Sequence, residues 1–190
     1  MAIVLASQSP RRQELLARIG VEDFKTLSLD IDESYPEGLS PEDTVRYIAK
    51  KKCDAAAALC APDDLIITAD TMVFLGNDRL GKPRDEEDAL RMLRELSGRA
   101  HTVCTGVSVR RGETSELFAV STRVFFRQAT DDEIHAYIKT GEPMDKAGAY
   151  GVQSRGALFV ERIDGDFFNV MGLPVEQLGL VLARFGVKLL

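Results

Sequence analysis

The chain has 190 residues, of which 45% are hydrophobic and 28% charged, and such values are typical of a globular domain with a substantial core. The net charge of −6 argues against a broad basic surface for nucleic acid, although a local cluster of Lys and Arg can still bind a small anion. No apolar run approaches the ~20 residues that span a bilayer, and the start lacks the basic region of a signal peptide. We therefore expect one soluble domain over residues 1–190, with neither a nucleic-acid nor a membrane partner.

Cysteine and histidine usage narrows the compartment and the metal. Cys53, Cys60 and Cys104 are odd in number and lack CxxC spacing, which indicates reduced, structural thiols in a cytosolic protein. His101 and His135 stand alone, so no zinc site is expected and neither histidine is assigned a role. A catalytic metal should therefore be an oxygen-ligated ion such as Mg²⁺ or Mn²⁺.

Strand and helix signals alternate along the chain. Strands are predicted at 3–6, 24–30, 65–69, 102–110, 117–126 and 157–163, and helices starting near Pro10, Ser40, Asp85, Thr130 and Pro174. The two long segments on either side of residues 110–113 predict a hairpin, whereas the other strands require crossover connections. Hairpins together with crossovers indicate a single α/β or α+β domain.

The turn before the first helix collects hydrogen-bond donors. Ser9 is a good N-cap, and its hydroxyl, that of Ser7, and the guanidinium groups of Arg11 and Arg12 converge with the free N–H groups of the helix start. Such a corner can bind phosphate, because the donors point outward and the helix dipole is positive there. The alternative is an ordinary strand–helix corner with two solvated arginines, and the glycines of a P-loop are missing.

Three acids could carry chemistry. Asp70 is expected at the carboxyl end of the apolar strand 65–69, where open α/β sheets place their ligands, although an Asp that caps the next turn fits equally well. Asp32 and Glu33 follow the preceding predicted strand and could hold a metal, although acids in such positions are usually solvated. Paired with cations, these carboxylates would suit phosphoryl chemistry, in which one carboxylate orients or deprotonates water.

The candidate cations lie outside the first turn. Lys50, Lys51 and Lys52 form a run on a helix with at most one lysine pointing inward, and Lys82 stands in an extended segment before a proline. A glycine-rich stretch, 145–156, adds Lys146, Gln153 and Arg155 as polar recognition groups. A long loop of this kind in a compact domain is usually functional, because glycines allow the backbone to approach a ligand closely.

At this point the sequence resembles the Maf-like nucleoside triphosphate pyrophosphatases. The resemblance rests on six blocks in the family's order: Leu5–Arg12, Ala69–Thr71, Gly81–Asp85, Leu96–Gly98, Glu142–Gly151 and Val170–Pro174. It implies a cytoplasmic enzyme that needs a divalent metal and forms, in many members, a homodimer. The implied fold is Maf/ITPase-like: an elongated, two-lobed α/β domain with a mixed twisted sheet, flanking helices and a central cleft.

The same resemblance implies roles for individual residues. Asp70 matches the family's proposed general base, and Glu33 together with Asp70 matches its metal position. Phosphate or substrate contacts are implied for Ser7, Ser9, Arg12, Lys52, Lys82 and Lys146. The implied reaction converts a nucleoside triphosphate to the monophosphate and pyrophosphate.

Three positions distinguish the subfamilies. Arg11, Thr71 and Gln153 form the set seen in the dTTP/UTP type, whereas the 7-methylguanosine type resembles this chain less and carries an aromatic residue, Gln and Glu there. A Gln amide both donates to and accepts from a uracil or thymine edge, whereas a carboxylate suits the donors of guanine. Ser154 stands where many relatives have Gly, and we expect it to stiffen the loop.

These observations predict a dTTP/UTP pyrophosphatase that removes surplus or modified pyrimidine nucleotides, with water attacking the α-phosphorus. One alternative is the same chemistry on a modified purine or on a broader nucleotide set. Another is a nucleotide-binding regulator of cell division, since the family has been associated with septum formation.

Overall fold

The computed structural model describes residues 1–190 and shows a mixed α/β fold with one seven-stranded sheet flanked by helices. The strands are β1 (Ile3–Leu5), β2 (Phe24–Thr26), β3 (Leu65–Leu75), β4 (Asp78–Leu80), β5 (Ala100–Arg111), β6 (Thr114–Phe126) and β7 (Val160–Asp164). Their order in the sheet is β2-β1-β3-β5-β6-β7, and β4 pairs with β3. The strand β1 runs parallel to β2 and β3, whereas β3 with β4 and β6 with β7 are antiparallel.

Six helices complete the fold: α1 (Pro10–Arg18), α2 (Pro41–Ala57), α3 (Glu86–Leu96), α4 (Asp131–Ile138), α5 (Phe167–Met171) and α6 (Val175–Arg184). Three short 3₁₀ turns follow α4, at Glu142–Asp145, Ala147–Ala149 and Arg155–Phe159. None of these helices combines the length and the apolar character that a membrane crossing requires. The sequence signals for five of the six helices are confirmed, and only the five-residue α5 was not predicted.

The chain divides into two compact units. The first comprises Met1–Asp70, Thr105–Val120 and Gly172–Leu190, and the second comprises Thr71–Cys104 and Ser121–Met171. Each unit is assembled from separate stretches of the chain, so that neighbours in space are often distant in sequence.

In the first unit, α2 packs tightly because one residue opposite it has no side chain. A Cβ atom placed on Gly106 of β5 would lie 2.3 Å from the carbonyl oxygen of Val45, so only glycine fits. The hydroxyl of Thr68 on β3 donates to the carbonyl oxygen of Ala49 on α2 at 2.7 Å. These contacts fix α2 against β3, with Ile48 fully buried between helix and sheet.

The second unit contains an aromatic core beneath the loop that precedes β7. His101 and Phe126 contact Tyr150 with ring centroids 5.4 and 4.7 Å apart, and Phe159 stacks on Phe126 at 5.9 Å. Helix α4 begins at the predicted capping box, in which Thr130 and Glu133 satisfy each other's backbone N–H groups.

Three predicted strand boundaries are wrong. The strand at 65–69 was expected to end at Asp70, but β3 continues to Leu75 because its last three residues pair with β4. The strand expected at 24–30 ends at Thr26, where its short partner β1 ends. The last strand starts at Val160 instead of 157, because the preceding residues form a 3₁₀ turn.

Candidate active site

Asp70 lies within a strand, not at its end. It falls between the part of β3 that pairs with β1, at Leu65–Ile67, and the part that pairs with β4, at Val73–Leu75. Its side chain is 9% exposed, and Oδ1 accepts a hydrogen bond from Nζ of Lys52 at 2.7 Å. Its second oxygen, Oδ2, is buried and has no hydrogen-bond partner in the chain. A buried acceptor without a partner is costly, so Oδ2 is the atom through which Asp70 can accept a hydrogen bond or a cation from a bound group.

Lys52 joins Asp70 to a second carboxylate. Its Nζ lies 3.0 Å from Oε1 of Glu33, which is 55% exposed, while the lysine side chain itself is only 13% exposed. Of the three consecutive lysines on α2, Lys52 is therefore the one that turns inward, whereas Lys50 is exposed. The helical pattern predicted at most one inward lysine and the family resemblance singled out Lys52; the packing of α2 against β3 turns that lysine inward.

The loop that carries Glu33 is held by its neighbours. Asp32 accepts from the backbone N–H of Ser34 at 3.0 Å and from the Ser34 hydroxyl, and Nζ of Lys51 donates to Asp32 at 3.2 Å. These hydrogen bonds, with that of the Ser34 hydroxyl the strongest, lower the pKa of Asp32 to about 2. Asp32 therefore acts in the loop as an anchor, and Glu33 is left as the carboxylate beside Lys52.

The donors of the corner that the sequence predicted to bind phosphate are arranged differently from the expectation. Ser9 is the N-cap residue of α1, yet its side chain makes no cap hydrogen bond, and its own N–H donates to Oγ of Ser7 at 3.2 Å. Arg12 donates through Nε to the carbonyl oxygen of Gly172 at 2.8 Å and through Nη1 to that of Ala69 at 2.9 Å. Burial lowers the pKa of Arg12, and the nearby Asp70 carboxylate partly offsets that effect. Arg12 thus joins three separate stretches of the first unit: its own helix α1, the residue before Asp70, and the segment at Gly172.

The donor set beside Asp70 fits a hard divalent cation. Glu33 and Asp70 supply carboxylate oxygens only, and no three His, Cys, Asp or Glu side chains within residues 1–190 form a cluster that could hold a metal. Mg²⁺ is commonly held by one or two carboxylates together with substrate phosphates, so two acids suffice for such a site. The unpartnered Oδ2 of Asp70 is the available ligand atom.

The second unit carries the other predicted site residues. Lys82 is exposed and follows Gly81, whose carbonyl oxygen accepts from the N–H of Gly148 at 3.0 Å. This hydrogen bond joins the segment of Lys82 to that of Lys146, whose Nζ donates to the carbonyl oxygen of Glu142 at 2.8 Å. The structure therefore brings these two lysine segments together within the unit.

The three residues that the resemblance links to specificity occupy different settings. Gln153 is exposed in the loop after the second 3₁₀ turn, and Thr71, half-buried, follows Asp70 on β3 as the first residue of the second unit. Arg11 is half-buried at the second position of α1. Of the three, only Gln153 lies outside a regular helix or strand.

The sequence matches the family described as Maf-like protein over residues 2–185. This chain belongs to the Maf-like family. It is 46% identical to the dTTP/UTP pyrophosphatase of Bacillus velezensis, over 98% of this chain and 97% of that protein. It is 48% identical to the dTTP/UTP pyrophosphatase of Bacteroides fragilis, over 93% of this chain and 92% of that protein.

Solved structures of low sequence similarity share the fold of this Maf-like protein. The Ham1 protein of Staphylococcus aureus superposes with a TM-score of 0.54 at 14% identity, over 97% of this chain and 100% of that one. A HAM1 protein from Coxiella burnetii gives 0.53 at 13% identity, over 97% and 99% of the two chains. The expected Maf/ITPase-like α/β fold with a mixed sheet is confirmed.

Sequence reasoning missed a group of residues that supports the glycine-rich loop of this Maf-like protein. Glu142 accepts hydrogen bonds from Tyr137, Ser154, Arg155 and Gly156. Its position inside a distinctive block was visible in the sequence, but nothing there indicated which groups it bonds. His101, which was assigned no role, donates or accepts through Nε2 at 2.7 Å from the hydroxyl of the loop's Tyr150. Ser154, which is expected to stiffen the loop, donates to Glu142 at 2.6 Å.

Proposed function

We propose that this Maf-like protein is a nucleoside triphosphate pyrophosphatase that hydrolyses dTTP and UTP to the monophosphate and pyrophosphate. Relatives of 46% and 48% identity over nearly the whole chain carry that name. The observation that carries the proposal is Asp70, a buried carboxylate with one oxygen on Lys52 and the other without a partner.

Asp70 is proposed as the general base. Its Oδ2 would accept a proton from the water that attacks the α-phosphorus, while Oδ1 keeps its hydrogen bond to Lys52. General bases of this kind contribute about 10²- to 10⁴-fold to the rate. Burial in β3 supports the role, because a rigid strand holds the carboxylate in one orientation.

Cations are proposed to bind the triphosphate despite the acidic chain. The proposed phosphate and substrate contacts are Ser7, Ser9, Arg12, Lys52, Lys82 and Lys146. A cation about 4 Å from a phosphate oxygen gains about 4 kcal/mol at an effective dielectric constant of 20, so a few contacts suffice. In the first unit, the Lys52 ammonium group would contact phosphate and still keep part of its contact with Asp70 and Glu33, since both carboxylates attract it.

Glu33 and Asp70 are proposed to hold a divalent cation, Mg²⁺ or Mn²⁺. When bound, such an ion offsets negative charge on the phosphate oxygens and on the leaving pyrophosphate. The residues fit the ion because both ligands are carboxylates. Oδ2 of Asp70 has no partner in the chain and carries two lone pairs, so it can contact the ion and the attacking water together.

Gln153 is proposed to recognise the nucleobase of the substrate, and Arg11 and Thr71 are proposed as further specificity residues. An amide can donate to a uracil or thymine carbonyl and accept from the ring N–H at the same time. The exposure of Gln153 in its loop supports this role, since its amide is accessible to a ligand. We further propose that the enzyme works in the cytoplasm as a homodimer and removes surplus or modified pyrimidine nucleotides.

The test is pyrophosphate release from a panel of triphosphates: dTTP, UTP, dCTP, GTP and 7-methyl-GTP, each with Mg²⁺ and with Mn²⁺. We expect dTTP and UTP to be hydrolysed with the highest kcat/KM, giving dTMP and UMP. Preferred turnover of a purine would contradict the pyrimidine assignment. Tight nucleotide binding without turnover under either metal would contradict an enzymatic function and favour a regulator.

A further inference from the structure

One carboxylate gathers the loop on which Gln153 lies. Oε1 of Glu142 accepts from the hydroxyl of Tyr137 at 2.8 Å, the hydroxyl of Ser154 at 2.6 Å and the N–H of Gly156 at 3.2 Å. Its Oε2 accepts from the N–H of Arg155 at 3.3 Å. An ionised carboxylate has about four acceptor sites, so these four donors occupy its full capacity, and three of them belong to consecutive residues.

The hydrogen bonds hold the chain both before and after Gln153. On the side after Gln153, three consecutive residues bond directly to Glu142; on the side before it, the N–H of Gly151 donates to the Tyr137 hydroxyl at 3.1 Å. Tyr137 in turn donates to Glu142, so that one chain of hydrogen bonds joins the two ends of the segment 151–156. Val152, next to Gln153, is buried and fixes the middle.

No regular structure would otherwise hold this segment. Residues 151–154 belong to no helix or strand, and exposed loops without a hydrogen-bond ladder are mobile unless their ends are tied. Gly156 shows how closely the ends meet, because a Cβ atom there would lie 2.6 Å from the carbonyl oxygen of Gly151. Burial raises the pKa of Glu142, but its hydrogen bonds outweigh that effect and the net pKa lies below the ordinary value. The carboxylate is therefore ionised, as an acceptor of four donors must be.

We propose that Glu142 is the positioning residue of the base-reading loop: it touches no substrate, but it holds Gln153 in the orientation that selects the pyrimidine. The inference rests on the proposed function, because it assigns Gln153 to the base. It adds a residue whose loss would change substrate preference without touching the proposed general base. An ordered loop pre-orients the amide, and an unordered one pays the ordering entropy when the nucleotide binds.

The test substitutions are Glu142→Gln and, as a matched control, Glu161→Gln. Glu142→Gln keeps the size and shape of the side chain but places an NH₂ group where an acceptor oxygen stood. At least one of the four donors then loses its acceptor. Glu161 lies exposed on β7 of the same unit and makes the control for lost charge. Tyr137→Phe removes the bridge to Gly151 and should reproduce part of the effect.

Two measurements are made on each variant. Amide hydrogen exchange should rise at least tenfold at Gly151, Arg155 and Gly156 in Glu142→Gln, with α3 amides unchanged as a check on folding. Steady-state kinetics should show KM for UTP raised about tenfold while kcat changes less than threefold, because a base contact is made equally in ground and transition states. The ratio of kcat/KM for UTP over GTP should fall, and Glu161→Gln should match the wild type in all readouts.

The outcomes separate the two proposals. A wild-type protein that hydrolyses neither dTTP nor UTP overturns the proposed function. A wild-type pyrimidine preference that Glu142→Gln leaves intact overturns the positioning role alone, whatever the exchange data show. A fall in kcat with KM unchanged would also overturn it, since that pattern places Glu142 in the chemical step. A raised KM and lost preference with faster loop exchange support it.

Discussion

The two units of the molecule fix their proposed functional groups by different means. In the first, Asp70 and Lys52 project from a strand and a long helix whose own backbone hydrogen bonds hold them. In the second, Gln153 lies on a loop with no such ladder, and the side chain of Glu142 supplies the missing acceptors. Regular elements suit a general base, which needs one orientation. A loop suits recognition of the substrate's nucleobase, because loop residues can vary without disturbing a sheet or a helix.

The two regions also differ in where a glycine has no room for a side chain. In the first unit the closest glycine contact, at Gly106, separates two regular elements. In the second, Gly156 approaches the carbonyl of Gly151 within the same loop, and Gly148 adopts a left-handed φ of 70° beside Val73. The loop is therefore compact because its own backbone folds on itself. Its order depends on a few side chains, whereas the order around Asp70 depends on the whole core.

The largest effect is expected at the proposed general base. Asp70→Asn keeps the shape of the side chain and leaves Lys52 paired with Glu33, so the fold should be retained. It removes the proton acceptor, and kcat for UTP should fall about 10³-fold, or about 4 kcal/mol, with UTP affinity kept. Pyrophosphate release and calorimetric UTP binding measure the two quantities.

The exposed Asp23 provides the control for Asp70, since Asp23→Asn removes the same charge at a surface position. Nearly full turnover in Asp70→Asn would remove Asp70 from the chemical step. It would also break the contrast between the two units, because the strand would then hold no reacting group.

The next effect concerns the acid stability of the second unit. Burial lowers the pKa of His101 to about 4, against about 6.5 for an unfolded histidine, so the unfolded chain binds a proton more readily. The stabilisation by neutral His101 is complete above pH 6.5 and is lost as the pH falls from 6.5 towards 4. The loss amounts to about 3 kcal/mol at most. Chemical denaturation at each pH should show this slope in the wild type.

His101→Gln should flatten the slope between pH 6.5 and 4.5, because Gln does not titrate and can still hydrogen-bond the Tyr150 hydroxyl. Paired carboxylates such as Asp88, with a pKa of about 2, lose their contribution at lower pH in both proteins. Equal slopes for the two proteins in that window would show that His101 is not the titrating group. They would also remove His101 as a source of acid sensitivity in the second unit.

The smallest effect is expected at the base reader. Gln153→Glu removes the amide donor and places a carboxylate against a uracil carbonyl, which should lower kcat/KM for UTP about tenfold relative to GTP. The free energy involved is about 1.4 kcal/mol. The same change at the exposed Gln128 serves as the control. An unaltered UTP-to-GTP ratio in Gln153→Glu would argue that the loop does not read the base, whereas a changed ratio with intact kcat would sharpen the division between the units.

Much of the fold could be predicted because its signals are local. The cap residues Ser40, Asp85 and Thr130 each accept the expected helix-start N–H, and the turn near Gly112 joins the predicted hairpin. The errors occurred where tertiary contacts outweighed local pattern. Asp70 looked like a strand end because polar residues follow apolar ones, yet the pairing with β4 carries β3 onward.

The candidate site was predictable in its residue types and less so in its partners. The sequence indicated acids, cations and a glycine-rich loop, and six blocks, among them Ala69–Thr71 and Glu142–Gly151, carried the resemblance to the family. The sequence could not indicate that the Ser9 side chain makes no cap hydrogen bond. Nor could it indicate that the backbone N–H of Ser9 donates to the hydroxyl of Ser7, two residues earlier. Hydrogen-bond partners of this kind depend on distances that only the folded chain defines.

The turn before α1 illustrates the division between the two sources of information. The sequence by itself determined the helix start, the donors beside it and the family, since these depend on residue type and short spacing. Only the tertiary structure decided that Arg12 binds the carbonyl oxygens of Ala69 and Gly172, 57 and 160 residues away. The same holds for Lys52 beside Asp70 and for the four donors on Glu142. A residue's chemistry is fixed by its side chain, but its role depends on which neighbours the fold brings within about 3 Å.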